Sequence, residues 1–441
     1  MSGAGGARRV FLECTSTLAS RYNTGIQRAG RNLVNAALAA PGPWTCTAIV
    51  YNGRHFAAID GLPRQAPSAT GRASATDRLR RMFHRMRAGT IRVLPGAVVR
   101  DALHSQRVEY ALRRLVHGAQ NTGRWLRSFG ASAGPRVEFR RGDVLVLLDP
   151  SWTVDLSGEL ERARAAGAEI WIVVNDLIPV DHPDLAPEGT PILMDQWLRR
   201  VVPFAHGMLG ISGTVARDLT AHLARMGLPA LPRIDHFYLG AGLDAVHTSA
   251  AALDAIAKAC IDPGAGVYLT VGTVEPRKNH ALLLDTFEHL WADGIDARLL
   301  IFGRLGWRSD ALARRMREHV QSGRLLVWFE AGADVELDYA YRHVSALIFA
   351  SRCEGFGLPL VEAMHYGLPV LASDIDVFRE IGADYPSYFS LDDPRALDSL
   401  LRQRLELVAS APPGRAPARQ WLSWADSARM LLEKVTSTPQ I

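Results

Sequence analysis

Short apolar runs alternate along this chain with longer stretches in which apolar residues return every three or four positions. That alternation predicts parallel strands separated by amphipathic helices. In the first half the pattern predicts strands at 10–12, 45–51, 144–148, 170–174, 208–211 and 234–239, with helices at 26–39, 158–165, 191–204 and 214–226. The rhythm breaks from about 61 to 142, which reads as an insertion. A second series runs strand 267–271, helix 279–291, strand 298–302, helix 310–320, strand 325–329, helix 335–344, strand 346–350 and helix 358–366, and closes with strand 369–372. A Pro- and Gly-containing stretch at 411–414 precedes a last helix, 421–435. Two such series imply an α/β protein of two Rossmann-like domains with parallel sheets. The expected boundaries are 1–240, 241–415 and a terminal helical segment 416–441, with Leu239-Gly240-Ala241-Gly242 as a hinge.

Composition narrows the class. The length of 441 residues, 48% hydrophobic and 22% charged, suits two or three cored domains. Cys14, Cys46, Cys260 and Cys353 are far apart and form no Cys/His cluster, so neither a zinc site nor a disulfide framework is expected. No apolar run is long enough to span a bilayer, and residues 1–9 lack a signal-peptide core. A cytoplasmic protein is the expectation. The net charge is +5, and arginines crowd the segment between Arg64 and Arg141, with Leu79, Met82, Phe83 and Met86 at helical spacing among them. That segment suits peripheral contact with an anionic membrane at the inner face, an anionic acceptor, nucleic acid, or simply a solvated arginine face.

Ligands of open parallel sheets sit beyond the carboxyl ends of the strands, and three candidate loops fall there in the second half. The first is Gly272-Thr273-Val274-Glu275-Pro276-Arg277-Lys278-Asn279. Arg277 and Lys278 offer a guanidinium fork and a compact ammonium that neutralise a diphosphate; the alternative is a pair of exposed basic residues. The second is Gly303-Arg304-Leu305-Gly306-Trp307. The third, Cys353-Glu354-Gly355-Phe356-Gly357-Leu358-Pro359-Leu360-Val361-Glu362, sets two carboxylates eight positions apart around a Gly-rich turn that opens a helix. Helix-start N–H groups attract phosphate, and the carboxylates Glu354 and Glu362 accept hydrogen bonds from sugar hydroxyls. A glycosidase acid–nucleophile pair is the weaker reading, because this spacing does not fix the carboxyl separation.

In the first half, Gly25 and Arg28 follow the first strand, where Thr24 alternatively caps a helix. Asn175-Asp176 ends another strand, and Asp176 either accepts from an acceptor hydroxyl or closes a turn with Pro179. Asp374-Ile375-Asp376 has a cation-binding form, but Asp376 reads better as a helix cap. Neither a nucleophile elbow nor a Walker loop is present.

These residues resemble glycosyltransferase family 4, retaining enzymes of GT-B fold. The dense match runs from about Val267 to Ile381, through the loop at 271–279, the Glu354 to Glu362 motif, Leu337, Tyr341, Phe349-Ala350-Ser351, Gly367-Leu368-Pro369-Val370 and Ser373-Asp374. Thinner matches lie at 24–28, 176–179 and 211–218. The resemblance implies two Rossmann-like domains whose sheets face a central cleft, with the C-terminal helix crossing back to the first domain. It implies an N-terminal acceptor-side domain and a C-terminal donor domain. The donor is a GDP- or UDP-linked sugar, and the acceptor a glycan or lipid-linked glycan. No metal or other cofactor is required, and no nucleic acid is bound. Arg277, Lys278 and Glu354 would form the catalytic group. Gly272, Thr273, Gly303, Gly355, Phe356, Gly357, Leu358 and Glu362 would bind donor, with Glu362 on the ribose and Gly303 at the base. Gly25, Arg28, Asn175 and Asp176 would face the acceptor. Asn175 stands where relatives often carry His, which removes a titrating group from that position. The expected reaction is transfer of a hexose, with mannose as one candidate, in surface polysaccharide biosynthesis. A nucleotide-sugar epimerase of the same fold and a non-catalytic sugar-nucleotide-binding module are the alternatives.

Overall fold

A computed structural model of the chain describes residues 7–20, 25–63, 135–228, 230–242, 250–330, 332–410 and 417–437. Most of the expected insertion at 61–142, the cap at Thr24 and the Pro- and Gly-containing stretch at 411–414 lie outside the described residues. Two compact units result. One comprises Met1–Gly210, Leu219–Asp235 and Ala428–Ile441, the other Ile211–Asp218 and His236–Ser427.

In the first unit, β1 (Arg8–Glu13) is followed by α1 (Thr15–Ala19) and α2 (Gly25–Ala39), then β2 (Trp44–Tyr51), β3 (Phe56–Ile59), β4 (Val144–Leu147), α3 (Ser157–Ala165) and β5 (Glu169–Val174). The chain continues through α4 (Ile178–Asp181), α5 (Thr190–Val201), β6 (Gly207–Gly210), α6 (Gly213–Arg225), whose start through Asp218 groups with the second unit, and β7 (Arg233–His236), whose His236 does too. The strand order is β3-β2-β1-β4-β5-β6-β7. β1 pairs in parallel with both β2 and β4, aligning Leu12 with Ala48 and Val146. Every residue of β4 is buried, as expected for a central parallel strand covered on both faces. β3 runs antiparallel to β2. The alternation pattern passes over it because four residues behind a tight turn carry almost no period.

The second unit holds α7 (Ala250–Ala259), β8 (Val267–Val271), α8 (His280–Ala292), β9 (Arg298–Phe302), α9 (Asp310–Glu318), β10 (Leu326–Phe329), α10 (Asp334–His343), β11 (Ala346–Phe349) and α11 (Leu358–His365). It ends with β12 (Val370–Ser373), α12 (Asp376–Gly382), β13 (Ser387–Phe389), α13 (Ala396–Ser410) and the start of α14 (Trp424–Thr436). The strand order is β10-β9-β8-β11-β12-β13, and the pairings are parallel. α8 buries Leu283, Leu284, Phe287 and Leu290, a helical stripe that packs with Tyr268, Leu299, Ile301 and Ile348 in one core.

Three sequence expectations shift here. The strand series does not close at 372, since β13 adds a three-residue edge. The helix expected to reach 320 stops at Glu318, and Val320 is 91% exposed. Asp376 is the first residue of α12 rather than its cap, the cap position being Ile375. Among the described residues no helix is long and apolar enough to cross a membrane.

Candidate functional site

The loops after β8 and β9 are laced together by backbone. Gly272 N–H donates to Phe302 O (3.0 Å), Val274 N–H to Arg304 O (2.8 Å) and Gly306 N–H to Val274 O (2.9 Å). A Cβ on Gly303 would stand 1.9 Å from the Gly272 carbonyl oxygen, and one on Gly306 2.7 Å from Thr273 Cγ2. Glycine at 303 therefore has a reason inside the fold, the close approach of two chain segments, apart from the base contact expected of it.

Beyond Gly272 the chain makes a 3-10 turn, Pro276–Lys278, and enters α8 through Asn279 in the left-handed conformation at φ 56°. This turn carries the basic pair, which is not exposed. The side chains of Arg277 and Lys278 keep 19% and 12% of their accessibility. Arg277 donates to Glu275 Oε1 (3.0 Å), Cys353 O (3.1 Å) and Glu354 Oε2 (2.5 Å). Lys278 Nζ donates to Glu354 Oε1 (2.5 Å) and lies 4.9 Å from the centroid of the Phe349 ring. Ser351 Oγ also donates to Glu354 Oε1 (2.7 Å), and Ser373 Oγ in turn holds Ser351 O (2.5 Å).

The catalytic candidates Arg277, Lys278 and Glu354 thus form one cluster. Burial pushes the Glu354 carboxyl up, but Arg277, Lys278 and the hydrogen bonds from Lys278 and Ser351 outweigh it and bring it down to about 2. Burial lowers the Lys278 ammonium, and Glu354 opposes that shift. Glu275, 4% exposed, is raised by burial against the pull of Arg277 and Lys278. Expected around one ligand, as diphosphate cations and a sugar-binding carboxylate, the three side chains pair directly with one another. Glu275, Ser351 and Ser373 join them although pattern reading assigned them no role; a carboxylate two residues from a paired Arg was the available signal.

The Gly-rich turn leads into α11. Gly357, at φ 109°, takes the N-cap position in a conformation that favours glycine. The Gly355 carbonyl accepts from Ser212 Oγ (2.8 Å). Phe356 and Leu358 are buried, and Phe356 packs at 5.9 Å from Trp421. The side chains at these two positions are packed into the unit, so a role for them in contacting a ligand would fall to their backbone. Glu362 lies inside α11, 2% exposed, and its Oε2 accepts from Tyr341 Oη (2.8 Å). It is a buried, oriented carboxylate, not a solvated helix-start charge.

Two further groupings belong to the second unit. Glu380 accepts from Gly213 N–H (2.6 Å), Thr214 N–H (2.7 Å) and Thr214 Oγ1 (2.6 Å). It borders an open pocket of about 480 Å³ also lined by Arg217, Tyr238 and Arg379, which contains none of the residues expected to bind donor. Asp374 is held by a two-toothed pairing with Arg379, and Asp376 lies 3.3 Å from Arg217. The Asp374/Asp376 carboxylates thus pair with arginines. Among the described residues no group of three or more His, Cys, Asp or Glu side chains is placed to hold a metal.

In the first unit, Gly25 opens α2 and is exposed, and Arg28 is half-buried in its first turn. Asn175 and Asp176 follow β5, and Asp176 Oδ1 accepts from Ile178 N–H (3.2 Å), an Asx turn that starts α4. The strand-end turn is thus formed. Pattern reading missed a buried charge cluster beside them. Glu13 and Asp149, at the ends of neighbouring β1 and β4, are 0% and 2% exposed. Glu13 Oε1 accepts from Thr15 N–H (2.9 Å), and Asp149 from Thr17 N–H (2.7 Å) and Thr17 Oγ1 (2.5 Å). Arg31, 2% exposed, donates to Thr17 O (3.3 Å). Burial and the charge of Asp149 raise Glu13 to about 8, and burial raises Asp149 to about 6.

Among solved structures, sucrose-phosphate synthase from Thermosynechococcus elongatus superposes with a TM-score of 0.55 at 17% identity, covering 98% of this chain and 95% of that one. Anabaena HepE in complex with UDP gives 0.51 at 12% identity, over 98% and 96%. The two parallel-sheet α/β units are the fold of GT-B glycosyltransferases. Residues 254–409, which lie within the second unit, match the family described as Glycosyl transferases group 1. In sequence the chain is 36% identical over 306 residues to a serotype-specific mannosyltransferase, WbdA, from Escherichia coli, which covers 68% of this chain and 38% of that protein. It is 31% identical over 165 residues to O-antigen chain mannosyltransferase B of Escherichia coli, covering 36% of this chain and 42% of that protein. The chain thus spans about two fifths of the length of these relatives.

Proposed function

We propose that the chain is a retaining glycosyltransferase of family 4 that moves a hexose, mannose in particular, from a nucleotide-diphosphate sugar to a glycan or lipid-linked glycan in polysaccharide biosynthesis. The observation that carries the reading is the meeting of Arg277, Lys278 and Glu354 on two loops at the carboxyl end of the second sheet. Similarity to mannosyltransferases supports the sugar. We take guanosine as the nucleoside of the mannosyl donor, and UDP-bound HepE keeps the uridine alternative in view.

The geometry suits a reaction whose charge grows on a departing phosphate. As the bond from the sugar C1 to the diphosphate oxygen breaks, negative charge develops on that oxygen. Fixed, partly buried cations stabilise it at little reorganisation cost. An ammonium has three N–H donors, and Glu354 takes one from Lys278. The acceptor hydroxyl attacks C1 from the face the leaving group departs, and its proton passes to the leaving phosphate, which retains the anomeric configuration. Glu354 keeps the cations extended and turns to sugar hydroxyls when the phosphates arrive. The helix-start backbone at 355–358 meets sugar or phosphate, and Glu362 takes the ribose. Gly25, Arg28, Asn175 and Asp176 serve the acceptor. The chemistry asks for no metal. The arginine-rich segment gives peripheral contact with an anionic membrane from the cytoplasmic side.

The test is transfer from GDP-mannose, with UDP-glucose in parallel, to a mannoside acceptor, read as nucleoside diphosphate release and as product anomer by NMR. Lys278→Ala is expected to lower kcat/KM by about 10²–10³-fold, with circular dichroism unchanged. Product formed from donor alone would favour the epimerase reading. Full turnover in both Lys278→Ala and Glu354→Gln would overturn the proposal.

A further inference from the structure

We infer that Tyr341 is a positioning residue for the nucleotide's ribose, acting through the carboxylate of Glu362. The inference rests on the reading of Glu362 as the ribose-binding group.

Glu362 is almost fully buried within α11, where an ionised carboxylate needs donors. Tyr341 supplies one from α10, at 2.8 Å to Oε2. A phenol at this distance does more than satisfy the charge. It holds Oε2 from one direction and so restricts how the carboxylate can turn. The tyrosine is itself locked. It has no exposed surface, and its ring stacks on Tyr366 with centroids 5.3 Å apart and planes 8° from parallel. The Tyr366 hydroxyl donates to Asp338. Arg342 grips both oxygens of Asp338 at 2.8 and 3.0 Å, and its guanidinium lies 5.0 Å from the centroid of the Tyr366 ring. The Arg342 pairing, with smaller help from the Tyr366 hydroxyl, holds the Asp338 carboxyl below its ordinary range, so the far end of the stack stays ionised. A chain of side chains thus runs from a surface ion pair on α10 to the buried carboxylate on α11. Phe at 341 would keep the ring and its stack on Tyr366 and lose only the hydroxyl.

A carboxylate aimed in this way discriminates a vicinal diol from a sugar that lacks it. The experiment measures calorimetric affinities of wild type and Tyr341→Phe for GDP and UDP and for their 2′,3′-dideoxy forms. Wild type is expected to prefer the tighter ribonucleotide over its dideoxy form by on the order of tenfold, the scale of one hydrogen bond to a charged group. Tyr341→Phe should lose most of that preference while binding the dideoxy form as wild type does. Asp338→Asn, a surface change that loosens the far end of the stack, should lose part of it. An unchanged preference in Tyr341→Phe, or equal losses for both nucleotides, would overturn the inference while leaving the proposed function intact. Wild type without the preference removes the ribose role of Glu362 and the inference with it. Wild type that binds none of the four nucleotides overturns the proposed function as well.

Discussion

Glu13 and Asp149 put two carboxylates out of water, and among the described residues the guanidinium whose charge acts on Asp149 is the buried Arg31. One guanidinium cannot neutralise two carboxylates, and an uncompensated buried charge costs several kcal/mol. Protonation of Glu13 resolves the imbalance, which agrees with its upward shift from burial and from Asp149. The sign follows. A carboxyl whose folded pKa lies above its unfolded one contributes stability that is complete below the unfolded value. That stability is lost as pH rises through about 6 for Asp149 and about 8 for Glu13. Glu13→Gln should therefore flatten the fall in the first unit's unfolding midpoint between pH 5 and 9, measured by thermal melts across a buffer series; a decline as steep as wild type would refute the shared-charge account. Glu354 shows the opposite case. Its carboxyl is held down by Arg277 and Lys278, so its contribution is present at neutral pH and lost towards about pH 2. The residue types at 277, 278, 354 and 362 were legible in the sequence because Gly-rich loops frame them. Glu13 and Asp149 were not, because they are 136 positions apart and meet only when β1 pairs with β4.

At the scale of elements, the loops after β8 and β9 depend on how closely the two strands approach at their carboxyl ends. Gly272 and Gly303 allow that approach, and the backbone bonds between the loops fix it. Gly303→Ala forces a methyl against the Gly272 carbonyl and should destabilise the second unit by about 1–3 kcal/mol. Denaturant unfolding would show the loss, and any loss of nucleotide affinity should accompany it, because the displaced loop carries Arg277 and Lys278. An alanine variant as stable as wild type would show that the loops part without cost. Most helices were readable from apolar period, though α7 and α13 were passed over, and most strands because parallel strands are continuous apolar runs. β3 and β13 were not. Each has three or four residues, too few to establish a period, and each is placed by the neighbour it pairs with.

At the scale of the molecule, the Arg277/Lys278/Glu354 cluster and the Glu13/Asp149/Arg31 cluster fall in separate units. The segments Ile211–Asp218 and Ala428–Ile441 each group with the unit that is not their neighbour in the chain. If the second unit alone grips the nucleotide, ligand should stabilise that unit selectively. GDP at 100 times its Kd adds about 2.7 kcal/mol to whatever folded body binds it. Scanning calorimetry should then show one transition move upward and the other stay, with the shift lost in Lys278→Ala. Equal movement of both transitions would place part of the nucleotide site on the first unit.

Local chemistry marked the loops at 272–279 and 353–362 as the candidate site, since glycine, paired cations and spaced carboxylates act over a few positions of chain. It also settled the α/β class, since burial on both faces of a parallel strand writes a continuous apolar run. Tertiary structure decided the rest. It joined the cations to Glu354 and put Tyr341 on Glu362. It gave Gly303 a steric reason and gathered Glu13, Asp149 and Arg31 in one buried cluster. Each of these is a meeting of residues distant in the chain, and only strand pairing and helix packing bring them within reach of a hydrogen bond.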